Sequence, residues 1–304
     1  MYSKQVLSIA ILVALGLPQT TSAEKTKAPQ ITLSAELQKQ CLKVLRGGMQ
    51  GEEFWPAIHA AEGLTLAGRG DEVRKFLEPK LATEKDDQRR CGIVRELVRA
   101  GDCEKGPIML DILAKEDPHG HIHACESSYK VGQVGDGKLM RQAAQRDNLT
   151  LQLMASAALG RNGDEASMKR IRQLLRHKDA TISRVAAWIL GRIGNKSDII
   201  QLYRNTVAAP DELTRCYNEH ALAALGDKAG QKALLRNLKS KDAAVRTYAA
   251  TFAGDARTVA AKELLVELLE DENVDVRVRA AQTLMVLHKQ PLKHACGGEN
   301  GYID

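Results

Sequence analysis

The stretch LQLMASAALGRNGDEASMKRIRQLLRHKDATISRVAAWILGRIGN, residues 151–195, decides the fold. ALGRNGD near its start returns as ILGRIGN near its end, so Gly160 is answered by Gly191 and Asp164 by Asn195. An apolar helix rich in Ala and Leu runs into a glycine turn, and Asp or Asn then opens a second helix. The turns line up along the chain as Gly70-Asp71, Gly101-Asp102, Gly135-Asp136, Gly163-Asp164, Gly194-Asn195, Gly226-Asp227 and Gly254-Asp255, at intervals of 28 to 34 residues. Two helical segments repeating at such a period are the signature of an α-solenoid. Glycine tolerates the positive φ that ends the first helix. Asp or Asn accepts from the exposed N–H groups of the second, and Asp also suits its positive dipole end.

The second helices are amphipathic. Leu174 and Leu175, then Leu234, Leu235 and Leu238, then Leu264, Leu265, Leu268 and Leu269 recur at helical spacing. In Asp242-Ala243-Ala244-Val245-Arg246 and Asp275-Val276-Arg277, Asp is expected to cap the first helix. Val then enters the core and Arg reaches an Asp of the adjacent unit. Ser34 is expected to cap a helix over residues 35–46 that Gly47-Gly48 ends and that covers the open end of the array. A final helix over residues 274–289 has no helix after it, and Pro291 stops it.

This pattern resembles the short HEAT-like repeats first recognised in phycobilin lyases, Asp-x-x-Val-Arg-x-x-Ala-Ala-x-x-Leu-Gly-x-x-Gly-Asp. The match is best over residues 151–287 and looser over 54–148. The resemblance implies an all-α, right-handed α-solenoid of about seven two-helix repeats with an N-terminal capping helix. It implies much less about activity, because such repeats serve as interaction scaffolds, as chromophore lyase subunits and as the iron-binding deoxyhypusine hydroxylase. That enzyme uses His-Glu dipeptides, and no His here is followed directly by Glu.

Composition agrees with closely packed helices: aromatics make up only 4% of the 304 residues. The net charge of +6 is spread along the chain rather than blocked, which points away from nucleic acid. The N-terminus reads as a secretory signal, with Lys4 as the positive region, Val6–Leu17 as a short apolar core and Thr21-Ser22-Ala23 as the cleavage site. Four segments are therefore expected: a signal peptide over 1–23, a polar linker over 24–33, the repeats over 34–290 and a loose tail over 291–304. The cleaved chain is expected in the periplasm or secreted, with no membrane span.

Export changes how the six cysteines read, since an oxidising compartment permits disulfides. Cys91 and Cys125 occupy similar places in neighbouring repeats. Stacked helices lie about 8–10 Å apart, beyond the roughly 7 Å that a disulfide spans, so these two are not expected to pair. No CxxC suggests a zinc ribbon.

A solenoid's function tends to sit where repeats leave their consensus. Ile58-His59-Ala60-Ala61-Glu62 in unit one is echoed by Ile122-His123-Ala124-Cys125-Glu126 in unit three, and unit two has Gly92 and Arg95 at the equivalent positions. Residues three apart share a helical face. This predicts a row Glu62–Arg95–Glu126 with Arg95 bridging both carboxylates, beside a row His59–Gly92–His123 with a notch at Gly92. Trp55 and Tyr129 flank it. The arrangement serves first as an internal salt-bridge ladder and otherwise as a site for a small polar ligand or a protein partner's side chains. His119, His121, His123 and Glu126 form an alternative metal-ligand cluster, and with it the alternative of a metal-binding protein or metal-dependent enzyme. A second departure, Arg215-Cys216-Tyr217-Asn218-Glu219-His220, reads as an exposed polar surface or an extension of the polar face. Trp188 and Phe252 lie inside consensus repeats and read as core. With no phosphate loop and no nucleophile elbow, the expected role is non-catalytic binding, with no cofactor.

Overall fold

A computed structural model describes residues 29–289 and 296. The signal peptide and its cleavage site lie outside the described residues, as does all of the expected tail except Cys296. Sixteen α-helices and no strands are present among the described residues. They are α1 (Ala35–Met49), α2 (Phe54–Leu66), α3 (Gly70–Thr83), α4 (Asp87–Arg99), α5 (Pro107–Leu113), α6 (His121–Val131), α7 (Lys138–Ala143) and α8 (Leu149–Arg161). Then follow α9 (Glu165–Leu174), α10 (Ala180–Ile193), α11 (Ile199–Ala208), α12 (Glu212–Ala224), α13 (Lys228–Asn237), α14 (Ala243–Asp255), α15 (Lys262–Glu267) and α16 (Val274–His288). This is an all-α solenoid of helical repeats.

The capping logic holds through most of the array. Asp164 accepts from Ser167 N, Asp227 from Gly230 N, Asp242 from Ala244 N and Asp211 from Thr214 N. Gly163 takes the left-handed conformation at φ 90° that its turn needs. Unit seven differs. Its left-handed residue is Arg257, at φ 46°, and Asp255 ends α14 rather than capping the next helix. Asp275 is not a cap either, because Asn273 caps α16 by accepting from Asp275 N and Val276 N. Arg246 does reach the adjacent unit, pairing with Asp271 at 2.7 Å.

The even-numbered helices form the inner layer. Each packs on the next, from α2 through α4, α6, α8, α10, α12 and α14 to α16, and α16 packs back on α2. The solenoid therefore closes into a ring. α1 lies against both α16 and α2 and so takes the outer place beside α16. α16 and α1 thus build an eighth two-helix unit between them. Leu45 of α1, Ile58 and Leu64 of α2, and Val276, Val278 and Leu284 of α16 share one core.

The closure explains why α1 runs three residues past its expected end. Gly47-Gly48 does not stop it, because Gly48 is the point of closest approach: a Cβ there would lie 2.6 Å from Val278 Cγ2 and 3.1 Å from Ala60 Cβ. The segment expected as a free linker is also docked over residues 29–33. Ile31 N donates to Leu287 O at 3.0 Å, Leu33 is buried in the shared core, and Arg257 donates to Pro29 O. Its two apolar residues drive that docking. After α16, Cys296 forms a disulfide with Cys103, in the turn between α4 and α5. The tail is thereby tied to unit two. Cys41, Cys91, Cys125 and Cys216 are buried free thiols, so Cys91 and Cys125 do not pair.

Candidate functional site

Closing the ring turns the concave face of the solenoid into a central cavity of about 600 Å³. Every inner helix contributes to its wall. The order of helices around the ring places α16, α2, α4 and α6 across from α8, α10, α12 and α14. The two halves differ in chemistry.

The first half is ionic. Glu62 lies between two arginines: Arg99 Nη2 is 3.2 Å from Oε1, and Arg279 Nη1 donates to Oε2 at 2.8 Å. Arg279 also donates to Gln282, and Arg99 pairs with Glu96. Burial alone would raise the Glu62 carboxyl, but Arg99, Arg279, Lys130 and Arg95 hold it well below the ordinary range. Lys130 Nζ meets Glu126 Oε1 at 2.7 Å. Burial opposes ionisation of Glu126 too, and Lys130 and Arg95 overcome it, bringing the carboxyl to about 2. Burial lowers Lys130 in turn. His59 Nδ1 lies 2.8 Å from Asp275 Oδ1 across the closure of the ring. The imidazole is lowered, first by burial and then by Arg279, against the pull of Asp275.

The second half is aromatic. Trp188 meets Tyr129 edge-on at 5.5 Å between centroids. Tyr217 packs on Tyr248 at 4.9 Å and on Phe252 at 5.0 Å. Arg192 sits 4.5 Å above the Trp188 ring and pairs with Asp255. Arg161 donates to the carbonyls of Tyr129 and Lys130 at the end of α6.

Of the residues singled out in the sequence, His59, Glu62, Glu126 and Tyr129 line this cavity. Arg95 does not bridge the two carboxylates. It is buried and gives its Nε–H to its neighbour Glu96 at 2.7 Å, while Arg99, one turn further along α4, pairs with Glu62 and Lys130 pairs with Glu126, so no arginine bridges the two. The notch at Gly92 is filled, since a Cβ there would lie 3.3 Å from the Trp55 ring and 3.4 Å from Phe54. Trp55 stacks on His123 at 5.2 Å, so Trp55, Arg95 and His123 stand outside the cavity lining.

The metal-ligand cluster is drawn to separate partners. His119 pairs with Asp86 at 2.9 Å, His121 Nε2 lies 3.0 Å from the Lys115 carbonyl, His123 stacks on Trp55, and Glu126 is held by Lys130. Among the described residues no three His, Cys, Asp or Glu side chains are grouped to hold a metal ion.

The polar run of unit six is buried from Cys216 to His220 rather than exposed. Glu219 accepts from Asn237 and Arg236, and His220 stacks on Phe252 at 3.8 Å. Phe252 is buried in the core, as expected, whereas Trp188 is only partly buried and packs against that core beside the cavity. Sequence reasoning also passed over Arg161, Arg192 and Asp255, although a signal was present. All three directly follow the first glycine of their turn, in ALGR, ILGR and AGD, and all three line the cavity.

A family model for HEAT repeats matches residues 137–216. That span carries HEAT-like repeats. Among solved structures the chain is similar to human deoxyhypusine hydroxylase in complex with glycerol, at 17% identity over 84% of this chain and 98% of that one, with a TM-score of 0.42. It is also similar to the Escherichia coli YibA protein, at 18% identity over 84% and 98% of the two chains, with a TM-score of 0.34. Among curated proteins, none matches the sequence. No helix of the described residues is long and apolar enough to cross a membrane.

Proposed function

We propose that this HEAT-like ring is an exported, non-catalytic binding protein that takes a small amphipathic ligand into its central cavity. The observation that carries the reading is the two-sided wall. A cavity of about 600 Å³ falls in the size range of small-molecule sites. Its Glu62–Arg99–Arg279 side suits a polar group, and its Trp188–Tyr217–Tyr248–Phe252 side suits a flat apolar one. Closure favours a small ligand over a protein partner, because the concave face that open solenoids offer to partners lies inside the ring. Export is supported by the pattern from Lys4 to Ala23 and by the Cys103–Cys296 disulfide, which belongs to an oxidising compartment.

The test is a thermal-shift screen of the mature chain against small amphipathic acids, alcohols and amines, paired with native mass spectrometry of protein purified without unfolding. One molecule bound per chain is expected, with a stabilisation that Tyr248→Ala diminishes. A chain that binds no member of the panel and carries no co-purified molecule contradicts the proposal.

A further inference from the structure

Five large apolar side chains are exposed among the described residues, and three of them lie on α11: Ile200 at 68%, Tyr203 at 38% and Val207 at 87%. Of the other two, Trp55 stacks on His123 and Tyr248 lines the cavity. Positions 200, 203 and 207 share one helical face. α11 belongs to the outer layer, between α9 and α13. Arg176 Nε donates to Gln201 at 3.1 Å, Asn205 donates to the Leu175 carbonyl at 2.7 Å, and the Tyr203 hydroxyl is bonded to Asp227 at the start of α13. Together α9, α11 and α13 carry seven basic residues and one acidic residue, Glu165. The three outer helices across the ring, α1, α3 and α5, carry six basic and five acidic. Charges interspersed in the sequence are thus gathered on one side by the fold. Lys169, Arg204, Lys228 and Lys232 are exposed, with no ion-pair partner among the described residues.

We infer that this outer face docks on an anionic lipid bilayer. Ile200, Tyr203 and Val207 enter between the head groups, and Lys169, Arg204, Lys228 and Lys232 meet the phosphates. The chemistry matches, because apolar side chains anchor an interfacial helix while basic ones around it are drawn to the negative surface. Lys and Arg lay their stems along apolar surface and keep their charge at the level of the phosphates. The shape matches too. The outer layer of a ring is convex, so α11 stands at the crest with α9 and α13 set back on either side, and a planar surface meets it along α11. A second copy of the chain does not fit, since pairing face to face would oppose two sets of cations. The face lies on the outside of the ring, so the proposal does not rest on the cavity as a ligand site.

Co-sedimentation of a chain comprising residues 24–304 with vesicles at physiological salt tests this. One set of vesicles is phosphatidylglycerol mixed equally with phosphatidylcholine, and the other is phosphatidylcholine alone. The chain should pellet with the first and stay in solution with the second. Ile200→Ser with Val207→Ser keeps every charge and should weaken partitioning about tenfold. Lys169→Glu with Lys232→Glu should also weaken it by about tenfold or more. Lys43→Glu with Lys75→Glu, on α1 and α3 across the ring, makes the same change in net charge and should hold partitioning within about threefold of the wild type. All six side chains are exposed, and equal urea midpoints show that the fold is kept. Equal losses in the two charge-reversed variants would mean that net charge alone attracts the chain, and overturn the docking face. Unchanged partitioning of the serine variant overturns the apolar crest. Equal pelleting with both kinds of vesicle overturns the anionic assignment. Binding to poly-glutamate with none to either vesicle reassigns the face to an acidic polypeptide, and no binding to any of the three overturns the proposal.

Discussion

His59 of α2 and Asp275 of α16 meet at 2.8 Å although 216 residues separate them, and they do so at the seam where the ring closes. The imidazole is lowered by burial and by Arg279, and the Asp275 carboxyl is held below its ordinary value despite burial, by its bond to His59. The sign follows. A group whose pKa is lower in the folded chain binds fewer protons there, so its contribution is complete above its unfolded value and is lost as pH falls. Stability should therefore decline between about pH 7 and pH 5 through His59, with the buried His220 adding to it, and further through the carboxylate range. Urea denaturation of the wild type and of His59→Asn across that window checks this. The variant should have the shallower dependence, and equal slopes would remove His59 as a cause.

Glu62→Gln leaves Arg99 and Arg279 facing each other without their shared counter-charge. Breaking a buried pair by removing one partner costs about 3–5 kcal/mol. Because Glu62 joins α2, α4 and α16, the loss should appear as global unfolding at lower urea rather than as local loosening. The paired change Glu62→Leu with Arg279→Met should recover a large part of it, since apolar residues of similar volume often replace buried pairs without loss. A Glu62→Gln chain as stable as the wild type would mean that the ionic wall is hydrated and not part of the fold.

Reduction of Cys103–Cys296 should destabilise the chain. The bond closes a loop across 193 residues. On the chain-entropy model that is worth about 5 kcal/mol. Thermal unfolding with and without reductant checks it, and Cys103→Ser should remove the effect of reductant. Peptide mapping should show Cys103 joined to Cys296. The remaining thiols should react only after unfolding, since burial raises all four and brings Cys41 and Cys91 to about 12. A linked peptide containing Cys91 and Cys125 would contradict the packing of α4 on α6.

Gly92→Ala should cost about 1–3 kcal/mol, the usual penalty of overpacking. The added methyl would meet Trp55 at 3.3 Å and Phe54 at 3.4 Å, and it should disturb the stack of Trp55 on His123. Trp55 is 37% exposed, so its near-ultraviolet circular dichroism reports the change. A neutral substitution with an unchanged spectrum would return Gly92 to the role of an open notch.

The repeat was legible because its signals are local. A glycine turn, an Asp or Asn cap and a leucine stripe are each written within a few residues, and Asp164, Asp227 and Asp242 do what their spacing says. Closure was not legible, because it depends on curvature summed over seven units, and each unit contributes a rotation that no single residue encodes. Its one local trace is Gly48, which reads as a helix stop and is instead a contact with Val278. The site was half legible for the same reason. His59 and Glu62 stood out as departures from the repeat, whereas their partners Asp275 and Arg279 come from the far end of the chain. Trp188, Arg192 and Arg161 obey the repeat and look uninformative until the ring turns that face inward.

Small-angle scattering of a chain comprising residues 24–304, at concentrations where it is monodisperse, tests the closed ring most directly. If α1 and α16 form the eighth unit, the radius of gyration should be near the value for a compact chain of this length, about 19 Å. The pair-distance distribution should then be single-peaked and end without a long tail. A clearly larger radius with an extended tail is what an open solenoid would give. That result would separate His59 from Asp275 and Glu62 from Arg279, and would contradict the central cavity.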